Sequence, residues 1–294
     1  PNELYLMDLN YLKNIISQEM KTSNQSTNDT HKNKLIIDYV FLMIFMGNDF
    51  MPHFPSLNIR TKGLDIILKL YKINFGDKNL FLIDDNYELI WKNIRDLIFE
   101  LTKIEEQNFK QEIIIRRKVS IKNTNHKVLG DDNVNKKEEF KLLNLPVVDR
   151  DLEEYIDIFS KGWEKRYYET LFSITNYSKN NKYIQNICKN YLSGLEWVME
   201  YYLKDCKDWR WSYKYSYPPL FIDLLDYTPI WGVEFLKNND SNISFNQQLG
   251  YVLPTSSLHF LKKEEQDKIK KYREEVIEPT IKWSFCRYIW ESHV

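Results

Sequence analysis

Apolar residues recur at helical spacing along most of the chain, and the first clear run is Tyr5 to Met20, where Leu6, Leu9, Leu12 and Ile16 share a face. A polar stretch, Lys21 to Asn33, follows and reads as an exposed loop. Leu35 to Met46 is apolar except at Asp38, and it is far shorter than the roughly 18 to 20 residues of a membrane-spanning helix. It reads as a buried core segment. The run stops at Gly47, a natural helix C-terminus, and Pro52 and Pro55 keep the chain from resuming a helix before about Lys62 to Lys72. Helical periodicity returns over Tyr87 to Lys103, Trp163 to Ser173, Tyr183 to Leu203 and Lys262 to Val276. Between the first two of these, a charged segment poor in aromatics from Glu105 to Leu145 predicts a peripheral insertion or connector. No internal repeat emerges.

Composition agrees with a folded chain. The 294 residues suffice for one large or two ordinary domains, and 43% hydrophobic with 28% charged residues excludes global disorder, collagen and coiled coil. Aromatic residues reach 15%, and alanine is absent altogether, an accent expected of an AT-rich coding source. Basic and acidic residues number 41 and 42, so a nucleic-acid site would have to be local rather than a broad basic face. Cys188, Cys206 and Cys286 are odd in number and widely spaced, which argues against a disulfide framework or zinc finger and for a reducing compartment. No nuclear-localisation run stands out, so a cytoplasmic setting is expected, with a nuclear one as the alternative. The chain opens Pro1-Asn2-Glu3 without an initiator Met or a signal peptide, which suggests a piece of a longer protein.

Two stretches could carry chemistry. In Gly47-Asn48-Asp49-Phe50-Met51-Pro52-His53, a carboxylate follows the end of a buried helix, where rigid backbone could present it to a hard divalent cation. By pattern alone Gly-Asn-Asp before Pro is turn chemistry, and His53 reads as a packed histidine rather than a second ligand. In Trp209-Arg210-Trp211-Ser212-Tyr213-Lys214-Tyr215-Ser216-Tyr217 every odd position is aromatic and every even one polar or basic. An extended chain would put the rings on one face and Arg210 and Lys214 on the other, suited to stacking bases and meeting phosphates. By pattern alone, a half-buried strand packing its rings into a core is the simpler account. The runs Arg116-Arg117-Lys118 and Lys268 to Lys271 read as solvated faces. GxxxxGK[ST], GxGxxG, HExxH and GxSxG motifs are all absent.

In this order the two stretches resemble the XRN family of 5′→3′ exoribonucleases. The similarity starts at Asp38-Tyr39-Val40-Phe41-Leu42 and runs through Met46 to Arg60, which resembles the family block G-N-D-F-[LM]-P-H-x-P-S-L-x-I-R. It continues in Gly194 to Tyr202, in the stripe ending at Pro218-Pro219, and in Phe245 to Pro254, similar to F-x-Q-L-x-x-V-L-P. Tyr215-Ser216-Tyr217 stands where the family commonly has Tyr-His-Tyr, and a family-like Trp290-Glu291-Ser292-His293 lies near the end.

The resemblance implies a mainly α fold: a helical domain packing on, and completing, an α/β metal-dependent nuclease core whose amino-terminal half is absent. Residues 1–75 would be the end of that core with the metal loop, and 76–294 the helical domain with a charged insertion at about 105–145. It implies processive 5′→3′ digestion of single-stranded RNA bearing a 5′-monophosphate, with two Mg²⁺ or Mn²⁺ ions activating water and stabilising the scissile phosphate. Asp49 matches the acidic residue that closes the metal cluster, with Asn48 and His53 behind it. Trp211, then Trp209, matches the tryptophan that stacks on the 5′-terminal base. The implied partners are that RNA and the missing amino-terminal half; neither a membrane nor oligomerisation is implied, and this piece alone is expected to be inactive. The alternative is a non-catalytic RNA-binding or scaffold protein that keeps the fold.

Overall fold

The computed structural model describes residues 6–22, 28–125, 151–178, 181–237, 239 and 244–273. Among them the chain is helical without strands; Ile83 with Leu89 and Asp208 with Asn239 form only isolated bridges.

Helix α1 (Leu9–Glu19) is started by Asp8, whose carboxylate accepts from the backbone N–H of Asn10 and Tyr11. It packs on α2, yet Leu6, Leu9 and Leu12 are exposed and only Ile16, Ser17 and Met20 turn inward. The predicted helix over Tyr5 to Met20 therefore starts later than its apolar spacing suggests, because Asp8 caps it and Leu6 lies before its first turn. Helix α2 (Asp29–Ile44) begins inside the predicted loop, because Asn28 caps it through His31 N and its first, polar turns lie away from the core. Its later residues Leu35, Phe41, Leu42 and Ile44 are buried.

Helix α3 (Gly63–Asn74) and the long α4 (Trp91–Asn125) follow. The first half of the predicted charged insertion is therefore core helix, with Glu105, Phe109, Glu112 and Ile113 buried. Glu105 accepts from Phe221 N (2.8 Å) and Glu112 accepts through Oε1 from the Thr61 hydroxyl, partners that the local sequence does not reveal, while Glu112 Oε2 is buried without a hydrogen bond among the described residues. Arg116 is likewise drawn out of the predicted solvated face by Glu153, 3.0 Å away on α5 (Asp151–Ile156). Residues 126–145 of that segment lie outside the described residues.

Helix α6 (Trp163–Phe172) leads to α7 (Lys182–Leu203), whose residues Tyr191 to Glu200 are all buried. A helix buried all round is a central strut. The short α8 (Phe221–Tyr227) packs on α4 and α7. Phe221 stacks on Phe54 with ring centroids 3.7 Å apart, and Phe54 also meets Tyr191, so the chain after α2 is tied to α7 and α8. Helices α9 (Phe245–Val252) and α10 (Lys263–Tyr272) complete the described chain; the part of the predicted last helix beyond 273 lies outside it. None of the described helices is long and apolar enough to cross a membrane.

Candidate functional site: an acidic loop on an aromatic column

Gly47 ends α2 at φ +89°, a left-handed conformation that glycine adopts without strain. A Cβ there would lie 3.0 Å from His53 Cβ, so glycine also lets the loop fold back onto its own end. The loop is closed by Phe54 N donating to Phe45 O at 3.0 Å. Inside it the Asn48 side-chain oxygen accepts from Phe50 N and Met51 N at 2.9 and 2.8 Å, while Asn48 N donates to Met51 O. That is Asx-turn geometry. His53 is buried against Gly47, whereas Asp49 stands exposed at the tip. The loop therefore has the turn geometry that its sequence predicts, with Asp49 exposed at its tip. His53 is thus a packed histidine, as its sequence setting predicts, while Asp49 faces solvent.

Phe50 and Met51 anchor the tip to α7. Phe50 meets Trp197 and Tyr201 edge to face at 4.9 and 5.4 Å. Trp197 lies flat between Tyr201 (5.2 Å, 6°) and Trp211 (5.1 Å, 19°), so three rings form a stacked column. A Cβ on Gly194 would sit 2.4 Å from Met51 Sδ and 2.9 Å from Trp211 Cη2, so the acidic loop and the aromatic segment meet over this one glycine. The neighbouring Tyr202 is 46% exposed; its own partial burial and then the Asp49 carboxylate raise its phenol pKa, while the Asn48 amide lowers it.

The aromatic segment forms no strand among the described residues: it starts in a turn at 209–210 and bends at 215–217, so the extended stripe that the alternation predicts is not continuous. Trp197 Nε1 and Trp211 N both donate to Asp208 O, and Lys214 N donates to Asn190, which pins the segment along α7. From Trp211 onward the odd positions are half-buried and Ser212, Lys214 and Ser216 are exposed, as the alternation predicts. Tyr213 packs on Tyr191 and Tyr215 on Phe172, so these rings are core. Trp209, 41% exposed, stands apart beside Tyr201.

Asp49 makes no ion pair and no hydrogen bond among the described residues, which leaves its lone pairs available to a hard cation. No group of three or more His, Cys, Asp and Glu able to hold a metal occurs among those residues, so Asp49 fits as one ligand of a site and no more. Sequence reading overlooked the parts that hold it: Trp197 and Tyr201 are four residues apart on α7, a spacing that puts both rings on one face.

A helical domain that carries an exposed acid on a braced loop beside an aromatic wall is the class defined here. The family model described as the Xrn1 helical domain matches residues 29–150 and 126–280, and the chain belongs to this family. Among curated relatives, the 5′-3′ exoribonuclease 2 homolog of Drosophila melanogaster is 28% identical over 263 residues, which cover 76% of this chain and 28% of that protein. The 5′-3′ exoribonuclease 2 of Arabidopsis thaliana is 24% identical over 78% of this chain and 29% of its own length. That of Gallus gallus is 22% identical, again covering 76% and 29%. The chain thus spans less than a third of these relatives.

Proposed function

We propose that this chain is the helical part of a 5′→3′ exoribonuclease that removes nucleotides from the 5′ end of RNA carrying a 5′-monophosphate. The observation that carries this reading is Asp49: an exposed carboxylate without a partner among the described residues, on a loop closed by Phe45 and Phe54, stiffened by Asn48, and seated on α7 through Phe50 and Met51. A loop clamped at so many points holds its acid in place before substrate arrives, which is what a metal ligand needs. Mg²⁺ or Mn²⁺ ions bound between Asp49 and carboxylates from the rest of the enzyme would supply an activated water and charge stabilisation at the scissile phosphate. The names of the three relatives support the reaction class. Trp211, held by Trp197 and by Ser193 (3.3 Å from its Nε1), and the exposed Trp209 offer rigid rings on which a terminal base can stack.

The test is Asp49→Ala in the complete enzyme, following release of nucleotides from 5′-monophosphorylated RNA in Mg²⁺. Loss of one metal ligand should lower the rate by about a thousandfold, the equivalent of about 4 kcal/mol of transition-state stabilisation. Undiminished release would remove Asp49 from the metal cluster.

A further inference from the structure

The unit formed by α9 and α10 has a construction unlike the rest of the molecule. Helix α9 buries none of its residues, and Phe245, Tyr251 and Val252 are exposed. It holds together from within. Gly250 lies against Ile269, with a Cβ there only 2.7 Å from Ile269 Cδ1, and Arg273 donates to Gly250 O and Leu253 O at 2.9 and 2.6 Å. Asn246 donates to Glu265 across the two helices.

Between this unit and the Trp209 to Ser212 segment runs an open cleft of about 900 Å³. That lies within the roughly 300–1,000 Å³ typical of sites for small ligands, room for a nucleotide or two rather than for a folded partner. Its lining combines two kinds of group. Trp209, Trp211 and Tyr251 bring rings, and Tyr251 is 79% exposed, so little of it is used in packing. Arg210 and Lys268 bring cations that enter no ion pair among the described residues, while the one acidic lining residue, Glu265, is engaged by Asn246 and by Lys262 N. Trp211 has one face covered by Trp197, so what it offers to a ligand is offered on the side of this cleft. Rings with unpaired cations between them are the chemistry of single-stranded nucleic acid, in which bases stack and phosphates meet the charges.

We propose that this cleft is a subsite for single-stranded RNA, with Tyr251 facing the tryptophan wall as a second stacking ring and with Arg210 and Lys268 meeting the phosphates. The subsite deepens the exonuclease reading and rests on it. It gives the α9–α10 unit a purpose: to make a groove out of what would otherwise be one wall.

The experiment measures binding of a 5′-phosphorylated oligouridylate to the complete enzyme by fluorescence anisotropy, in EDTA and at several salt concentrations. Lys268→Glu should raise Kd about tenfold and reduce the slope of log Kd against log salt by about 1, and Lys268→Arg should restore both. Tyr251→Ala should raise Kd about tenfold and change the salt slope little. Both side chains are exposed, so the melting temperature should not move. If both variants bind as the parent does, with the same slope, the proposal falls. Asp49→Ala separates the two readings: if that variant digests RNA normally while Lys268→Glu weakens binding, the metal role fails and the subsite stands.

Discussion

Asp38 and Asp49 belong to one stretch of chain, the first in the middle of α2 and the second just beyond its end, and the fold uses their carboxylates in opposite ways. Asp38 is fully buried. It accepts from Tyr71 OH at 2.5 Å, from Leu82 N at 2.9 Å and from Ile83 N at 3.2 Å, and so fastens α2 to α3 and to the turn ahead of α4. Asp49 accepts nothing within the described residues and stands in solvent, while its neighbours Asn48, Phe50 and Met51 do the fastening. The difference teaches how an acid can be read. One whose lone pairs are taken up by the backbone belongs to the fold, and one whose surroundings are rigid while its own oxygens stay empty is free for chemistry.

The comparison breaks most plainly on stability. Asp38→Ala strands a phenol and two backbone N–H groups in the core, each costing about 1–3 kcal/mol, for a total of about 3–5 kcal/mol. Asp49→Ala, on the surface, should change stability by no more than about 0.5 kcal/mol. Urea denaturation of the two variants of the complete protein makes the check. Comparable losses would mean that Asp49 is also a structural acid.

A smaller effect concerns the seat of Asp49. Gly194→Ala places a methyl group 2.4 Å from Met51 Sδ and 2.9 Å from Trp211 Cη2. The methionine tip can yield and the indole cannot, so the expected cost is about 1–3 kcal/mol of overpacking. Activity should fall further than stability alone explains, because Met51 holds the loop that carries Asp49. Comparing the rate per folded molecule with the melting temperature makes the test, and a variant with normal turnover would show that Asp49 does not depend on this contact.

Much of this arrangement was legible in the sequence. The strut α7 is predicted to within a residue of its start by apolar residues at helical spacing, and the structure adds Asn181 as its cap. Gly47 and the two prolines marked the loop, and the alternation from Trp211 to Tyr217 gave the facing of each ring. What escaped was whatever depends on a distant partner. Helix α4 was expected to stop near Lys103 because the residues beyond it are charged. Glu105 and Glu112 nevertheless lie in the core, supported by Phe221 N, 116 positions further along, and by the Thr61 hydroxyl, 51 positions back. The α9–α10 cleft escaped likewise: Lys268 is exposed, as its charged run predicts, and only the fold shows that it lines one cleft with the tryptophans.

Glu105 sharpens the same contrast by pH, with the smallest effect per step. Burial first, and then the charge of nearby Asp223, push its carboxyl up to about 8, against the pull of Phe221 N. Burial likewise pushes Asp38 up to about 7, against Tyr71, Leu82 N and Ile83 N. Both acids therefore hold a proton in the folded protein at pH values where the unfolded chain has released it. Unfolding releases protons across that window, so stability falls as pH rises from about 4.5, where unfolded glutamate ionises, towards 8, and then levels off. Each group contributes a slope of at most about 1.4 kcal/mol per pH unit while it differs between the two states. Glu105→Gln keeps an oxygen for Phe221 N and removes the titration, so urea midpoints measured between pH 5 and 8 should decline less steeply in that variant. An unchanged slope would mean that Glu105 is ionised in the folded protein, and that it is an acid satisfied by its surroundings rather than one kept neutral by burial.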